Sequence, residues 1–457
     1  MNARLAAEDV QDGLPIPRRY VAIFALSAGT ALAVVDGTIA NVALPTIAHA
    51  LRVPANEAAH VVTLYQLVLV MALLPLSALG DRIGHRRLYQ SGQMIFVIAT
   101  LACVFATSLP QLLFARALQG LGAASALSVS SALIRAAYPA RQLGRGLGIN
   151  SMIVASAGAL SPTLGGIILS VASWQWVFAA PVPFALLSLA AGSIALPSPK
   201  AIPGRYDHVG ALLSAATFAL LILGLQDLAY GRDIPSGILK LVAGTVAAAT
   251  LIRQQSRAER PILPLDLLRQ GRLAIPVAGL LLAFMAQMIL LVSLPFRLQH
   301  RAGFTPVEIG ATLSLWPLTL IIISPLAGML SDRISNRLLG NVGMAIATAG
   351  FAAIALLPDH ISQLDASVRM AICGLGFGLF LSPNARTIIG MAPRTRAAAA
   401  GGLMATTRLT GQALGASIAG GLLALGTGDG AIPAGLAALV ASLIGLACIV
   451  PARRDSA

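Results

Sequence analysis

The fold class this sequence predicts is an all-α integral membrane protein with 14 transmembrane helices. Three observations carry that reading: the apolar composition, the spacing of the apolar runs and the distribution of charge. Of 457 residues, 57% are hydrophobic and only 11% are charged, and the mean hydropathy is +0.83, a balance that no soluble domain needs for its core. Apolar runs of about 20 residues, long enough to cross a ~30 Å hydrocarbon layer as a helix, recur along the whole chain. Short joints that carry charge or proline separate them.

The first six spans are 20–45, 58–79, 88–107, 111–134, 147–170 and 177–196. Spans seven and eight cover 208–226 and 235–252, followed by a linker rich in charge and proline from Arg253 to Arg272. The last six are 273–295, 307–330, 339–357, 368–390, 398–424 and 431–450. The opening segment carries Arg4, Glu8, Asp9, Asp12, Arg18 and Arg19, so it lacks the apolar centre of a cleaved secretory signal.

Charge placement checks this count independently. With residues at span ends assigned to the adjoining loops, the loops on the side of the N-terminus hold 23 Lys and Arg against 9 acids, and the opposite set holds 6 against 7. This is the positive-inside pattern, which a wrongly placed helix would scramble. It puts both termini in the cytoplasm and makes the net charge of +14 a topology signal, with the anionic inner leaflet as its partner. No nucleic-acid partner is expected, since that would need a soluble basic face with stacking aromatics. Arginine and alanine dominate, and Lys200 and Lys240 are the only lysines. That is the composition of a high-GC bacterium, so the expected location is a bacterial cytoplasmic membrane.

Cys103, Cys373 and Cys448 fall within spans and read as small packing residues. The six histidines lie singly at span ends without metal-ligand spacing. No nucleophile, phosphate-binding loop or zinc motif is present, so neither an enzyme nor a bound metal or cofactor is expected.

An internal duplication organises the chain. Gly120–Gly122 falls on Gly374–Gly376 and Pro139 on Pro393 at an offset of 254, while Leu79, Asp81 and Arg82 fall on Leu330, Asp332 and Arg333 at 251. Self-similarity at this period is the trace of two related helical bundles. The predicted domains are a six-helix bundle in 1–200, two inserted helices and a linker in 201–260, and a second six-helix bundle in 261–457.

Asp36 is the one acid well inside a predicted span, and an acid at that depth is costly enough to mark an ion or substrate path. Arg116 and Gln119, three apart on span four, share a helix face. A guanidinium keeps its charge and so needs a partner or a wet cavity. At an offset of 254, the second-half counterpart of Asp36 is Leu290.

Several motifs resemble those of the major facilitator superfamily. SALGDRIGHRR (Ser77 to Arg87) and GMLSDRISNR (Gly328 to Arg337) look like the two copies of its loop between helices 2 and 3. The resemblance implies a gating role for Asp81, Arg82, Arg86, Asp332 and Arg333, whose charges would form contacts in one state and release them in another. RALQGLGAA (Arg116 to Ala124) resembles an element whose arginine assists proton transfer near the helix 1 acid, which implies that Asp36 and Arg116 form the proton-coupling pair. ASAGALSPTLGG (Ala155 to Gly166) resembles the element characteristic of proton-driven antiporters, which singles out Ala157, Ser161, Pro162, Gly165 and Gly166. AVVDGTIANVALP (Ala33 to Pro45) and WQWVF (Trp174 to Phe178) are similar to signatures of the fourteen-helix drug:proton antiporter branch. Gln175, Pro181 and His60 depart from the usual residues there.

The resemblance implies multidrug efflux and antibiotic resistance: an antiporter that exports drugs or other small amphiphiles by alternating access, with protons moving the other way. Burial disfavours a charged carboxylate and a neighbouring arginine favours it, so their balance suits an acid that must load and release a proton. Candidate cargo residues are Tyr65, Gln66, Gln119, Met285, Gln287, Trp316, Arg408 and Gln412. With a single buried acid, monocationic, zwitterionic or neutral amphiphiles are expected, and a monomer suffices. An exporter dedicated to one metabolite or self-made antibiotic is the alternative. A non-transporting membrane receptor or envelope assembly partner is disfavoured by the duplication and by the lack of an extended soluble domain.

Overall fold

The computed structural model describes residues 13–139, 142–198, 206–230, 233–256, 271–331, 333–358, 360–391 and 397–425, and positions 435, 439, 440, 442 and 443. Among these residues every regular element is helical. The first half contains α1 (Ile16–Leu51), α2 (Ala55–Ala58), α3 (His60–Ile83), α4 (His85–Val104), α5 (Leu109–Ala137), α6 (Leu143–Val171), α7 (Gln175–Ala179) and α8 (Val182–Ala195). A hairpin follows, α9 (His208–Tyr230) and α10 (Ile234–Gln255). The second half contains α11 (Gly271–His300), α12 (Pro306–Leu330), α13 (Asn336–Ala355), α14 (Gln363–Met391) and α15 (Ala397–Leu425).

The helix boundaries have local causes. Pro306 opens α12, where a missing N–H is harmless. Its first turn is closed by a capping box between Thr305 and Glu308. Asp233 caps α10 by accepting from the Ser236 N–H at 3.0 Å, and Ser335 caps α13 from Leu338. Gly84, with φ +97°, makes the sharp turn from α3 into α4 inside the first gate motif, a conformation that other residues rarely adopt.

Among the described residues, eleven helical segments, with α2–α3 and α7–α8 each counted as one, are long and apolar enough to cross a membrane. Predicted spans 88–107 and 398–424 also coincide with helices, α4 and α15. Most of 431–450 lies outside the described residues. The first span begins and ends well beyond its predicted limits, because α1 carries Pro45 without breaking. Helix α9 also overruns its predicted end and brings Asp227 into the helix, where Lys240 of α10 pairs with it. Asp36 is therefore not the only acid in these helices, but Asp227 lies near a helix end with a cation beside it.

Each half is built by the same pairings. In the first, α5 packs on α3 and α4 while α1 packs on α6; in the second, α14 packs on α12 and α13 while α11 packs on α15. Glycines make the close approaches. A Cβ on Gly122 would lie 2.8 Å from the Gly92 carbonyl and 2.7 Å from the Phe96 nitrogen. On Gly376 it would lie 2.6 Å from the Gly343 carbonyl and closer still to the Ala347 nitrogen. Small residues let backbones touch where lipid supplies no hydrophobic drive between helices.

The two halves share one apolar core near the C-terminal end of α1. It joins Ile39 to Ile47 with residues of α11, α12 and α14. At the opposite end, a separate core around Ala22, Leu26, Tyr89 and Leu133 contains first-half residues alone. One lateral seam is made by α6 against α12, the other by α3 against α15. Helix α9 lies over the second seam, touching both α3 and α15, and α10 packs on α9.

Overpacking a close helix contact costs about 1–3 kcal/mol or more. Gly122→Leu and Gly376→Leu should each lower the thermal unfolding midpoint of the detergent-solubilised protein. Gly340→Ala, with open space around its Cβ position, should leave that midpoint unchanged.

Candidate functional site

Helices α1, α3, α4 and α5 converge on a fully buried charge cluster. The Arg116 Nη1 donates to Asp36 Oδ2 at 2.5 Å and to Gln119 Oε1 at 2.7 Å. Gln119 Nε2 donates to the other carboxylate oxygen at 2.8 Å and to Thr100 Oγ1 at 2.9 Å. The Arg116 Nε reaches the Val61 carbonyl at 3.0 Å. Asp36, Arg116 and Gln119 are each 0% exposed. The i, i+3 spacing of Arg116 and Gln119 thus delivers a two-pronged clamp on one carboxylate, with charge-assisted hydrogen bonds to both of its oxygens.

Aromatic faces complete the enclosure. The guanidinium carbon lies 4.3 Å from the Tyr65 ring centroid and 5.5 Å from that of Phe178, where the ring quadrupole favours a cation. Tyr65 is itself held by its hydroxyl, which donates to the Ala33 carbonyl at 2.9 Å. Trp174 packs edge-on against Phe178, so the WQWVF run reaches the charge cluster. Cys103 Sγ also donates to Gln119 Oε1 at 3.6 Å, and neither it nor Thr100 or Phe178 was legible as a cluster member. Their one-turn or cross-helix spacing has meaning only after α4, α5 and α7 are packed.

A second feature lies between the halves, a cavity of about 510 Å³. Of the predicted cargo residues, Gln287, Trp316, Arg408 and Gln412 line it. Tyr65 and Gln119 instead belong to the charge cluster, and Gln66 is buried near Gly37. Met285 packs in the second half, where its backbone carbonyl abuts Gly415. Asn41, Asn150, Phe284 and Phe377 line the cavity and were not anticipated. Asp36 is absent from this lining although Val34, Thr38 and Asn41 of the same helix contribute to it.

The α6 motif does two jobs. Its Ser161 hydroxyl donates to the Val35 carbonyl at 3.0 Å and lies 2.9 Å from Thr38 Oγ1, tying α6 to α1. Gly165 lets the same helix approach Ile39, with a Cβ position 2.9 Å from its Cγ1. On the other side, Gly166 abuts the Pro306 carbonyl and Gly310 abuts the Pro162 carbonyl. Thr163 Oγ1 lies 2.6 Å from Ser314 Oγ, closing α6 onto α12. Ala157 is half-buried on α6.

The packing also corrects the second-half counterpart of Asp36. Ser161 and Gly415 are 254 apart, but their α1 and α11 partners, the carbonyls of Val35 and Met285, are 250 apart. Ala286, rather than Leu290, therefore stands opposite Asp36. Either residue leaves that place without charge.

At the gate loops, Asp81 pairs with His85 at 2.9 Å, one turn away, rather than with the arginines. These two share a cleft with Arg135 and Ser128 of α5. Arg86 donates to the Ser193 carbonyl and to Ser198 Oγ, linking the start of α4 to the end of α8. In the second copy, Arg386 of α14 donates to Ser331 Oγ at 2.8 Å. Arg82 has partners of its own, Arg333 is exposed, and Asp332 lies outside the described residues.

Comparison with known proteins gives the family. The profile of the Major Facilitator Superfamily matches residues 26–416. The chain belongs to this superfamily. It is 43% identical over 409 residues to the uncharacterized transporter YebQ of Escherichia coli K12, covering 89% of this chain and 90% of YebQ. It is 28% identical to the riboflavin transporter RibZ of Clostridioides difficile, covering 87% of each. It is 29% identical to the multidrug resistance protein Stp of Mycobacterium tuberculosis, covering 89% of this chain and 76% of Stp. A crystal structure of the peptide transporter POT superposes with a TM-score of 0.69 at 18% identity, covering 93% of each chain. The protein is thus a multi-pass membrane transporter whose relatives place it with the superfamily's drug-efflux branch.

Removing one partner of a buried ion pair costs about 3–5 kcal/mol, because the other charge is stranded. Arg116→Gln should therefore lower the detergent unfolding midpoint sharply. The double variant Arg116→Gln with Asp36→Asn should recover part of that loss in a double-mutant cycle, whereas additive effects would mean that the two groups are uncoupled.

Proposed function

We propose that this transporter is a proton-coupled exporter of drugs or other small amphiphiles in a bacterial cytoplasmic membrane, with fourteen helices and both termini cytoplasmic. The observation that carries the reading is the sealed Asp36–Arg116–Gln119 cluster set on α1, the helix whose Val34, Thr38 and Asn41 line the central cavity. A proton arriving at Asp36 discharges its attraction to Arg116, and the clamp on α1 weakens. Because α1 is tied to α6 through Ser161 and Val35, and α6 is closed on α12, that change acts at the seam between the halves. Rocking of one bundle against the other about a central site is the alternating-access motion expected of such repeats.

With the N-terminus cytoplasmic, the shared core near the end of α1 corresponds to a closed outer side. The separate first-half core then lies on the cytoplasmic side, as an inward-facing state requires. The gate loops sit at that cytoplasmic end, and the charges of Asp81, Arg86 and Arg333 are the ones expected to exchange partners between states. Substrate is taken up there and released outside as protons enter. The names of Stp and RibZ set multidrug export beside a cargo list limited to one compound, and a transport panel separates them.

The coupling residue is tested in inverted membrane vesicles by substrate-induced proton movement. The native chain should show it, and Asp36→Asn should abolish it while the variant still reaches the membrane. Unchanged coupled transport in Asp36→Asn would remove this carboxylate from the mechanism.

A further inference from the structure

The charge inside the central cavity points to the class of cargo. Arg408 of α15 lines the cavity, and none of the other residues lining it is acidic. Arg408 makes no hydrogen bond or ion pair among the described residues, and its Nε is buried without a partner. The buried acid of the first half is unavailable, because Arg116 and Gln119 already hold both Asp36 oxygens. A guanidinium cannot discharge itself, and an unpaired charge at this depth is costly. A bound anion would lower that cost, whereas a bound cation would raise it.

The remaining lining describes the rest of the ligand. Phe377 lies 5.2 Å from both Phe284 and Trp316, ring centroid to centroid, so the three form one aromatic wall. Along it, Asn41 Oδ1, Gln287 Oε1 and Trp316 Nε1 are buried without hydrogen-bond partners among the described residues. Buried polar groups are rarely left unmatched in folded proteins, and here they offer neutral hydrogen bonding beside a surface that favours flat rings.

We propose that the cargo site is built for an anionic aromatic amphiphile, with Arg408 binding its carboxylate, sulfonate or phenolate and the aromatic wall holding its ring system. This rests on the exporter reading above and specifies its substrate. It also replaces the expectation of a monocationic or neutral cargo: with the single acid committed to Arg116, the cavity has no carboxylate to pair with a cation, and its one full charge is the guanidinium of Arg408. A zwitterion would be held by its anionic end.

The test uses two dyes that share a xanthene ring system, anionic fluorescein and cationic rhodamine 123. Their binding to the purified full chain in detergent at pH 7 is measured by fluorescence anisotropy, without a proton gradient. The native protein should bind fluorescein at least ten times more tightly than rhodamine 123. Arg408→Gln should weaken fluorescein at least tenfold and leave rhodamine 123 unchanged or tighter, and Arg408→Lys should retain part of the preference. Should Arg408→Gln fail to fold, Gln412→Glu places a carboxylate one turn away on the same face and should weaken fluorescein similarly. Equal binding of the dyes, absence of fluorescein binding, or an unaltered fluorescein affinity in a folded Arg408→Gln or Gln412→Glu variant would overturn the assignment. Loss of proton-coupled transport with the fluorescein preference intact would overturn the antiport reading alone. Coupled transport of rhodamine 123 without a fluorescein preference would overturn the cargo assignment alone.

Discussion

The first half of this transporter is organised by one interaction, the ion pair between Asp36 and Arg116, both withdrawn completely from solvent. In such a place the desolvation of each ion is several kcal/mol, and attraction between them offsets it only when geometry and further hydrogen bonds are good. Both conditions are largely met, although Arg116 Nη2 is buried without a hydrogen-bond partner among the described residues. Gln119 takes the second carboxylate oxygen, Val61 supplies a carbonyl and Tyr65 supplies a ring face. Each of these groups comes from a helix that must be in position first, so the pair and the packing of α1, α3 and α5 require one another.

Close backbone contact is what makes that packing possible. Gly120 and Gly122 let α5 meet α3 and α4, and Gly374 and Gly376 repeat the arrangement in α14 against α12 and α13. Tyr65 and Trp316 occupy matching places, 251 residues apart: the carbonyl of each lies against the glycine of its own half, Gly120 or Gly374. The halves have kept the scaffold and diverged in chemistry. Where the first has a charge cluster, the second has Ala286 opposite Asp36 and an aromatic wall.

That divergence separates two tasks in space. The acid lies behind α1, and the cavity presents Arg408, amides and rings. Under the proposed antiport, a substrate in the cavity would not touch Asp36, and communication between them would run through the body of α1. Thr38 illustrates the connection: it lines the cavity and also contacts Ser161 of the α6 motif. The α9–α10 hairpin is peripheral to both the charge cluster and the cavity, although α9 covers the seam between α3 and α15 and holds His60 through Gln226.

Hydropathy and charge bias alone determined the membrane-spanning character of the chain and the positions of most helices, because an apolar run of sufficient length has few alternatives in lipid. The duplication was readable for the same reason that the two halves repeat their helix pairings: glycines at close contacts tolerate no side chain, so their spacing persists. Asp36 and Arg116 could be paired only through the resemblance carried by RALQGLGAA, because the spans hold a second arginine, Arg408, that charge alone does not rule out. Only the tertiary structure decided which polar residues share a site. Tyr65 and Gln119 point to the charge cluster, Gln287 and Arg408 to the cavity, and Met285 into packing, yet all five are uncharged or cationic residues of apolar spans. The pairing of Asp81 with His85, and the offset that sets Ala286 opposite Asp36, were equally undecided. A helix sequence gives the face on which a residue lies, but the rotation of that face toward a neighbour is set by packing against other helices.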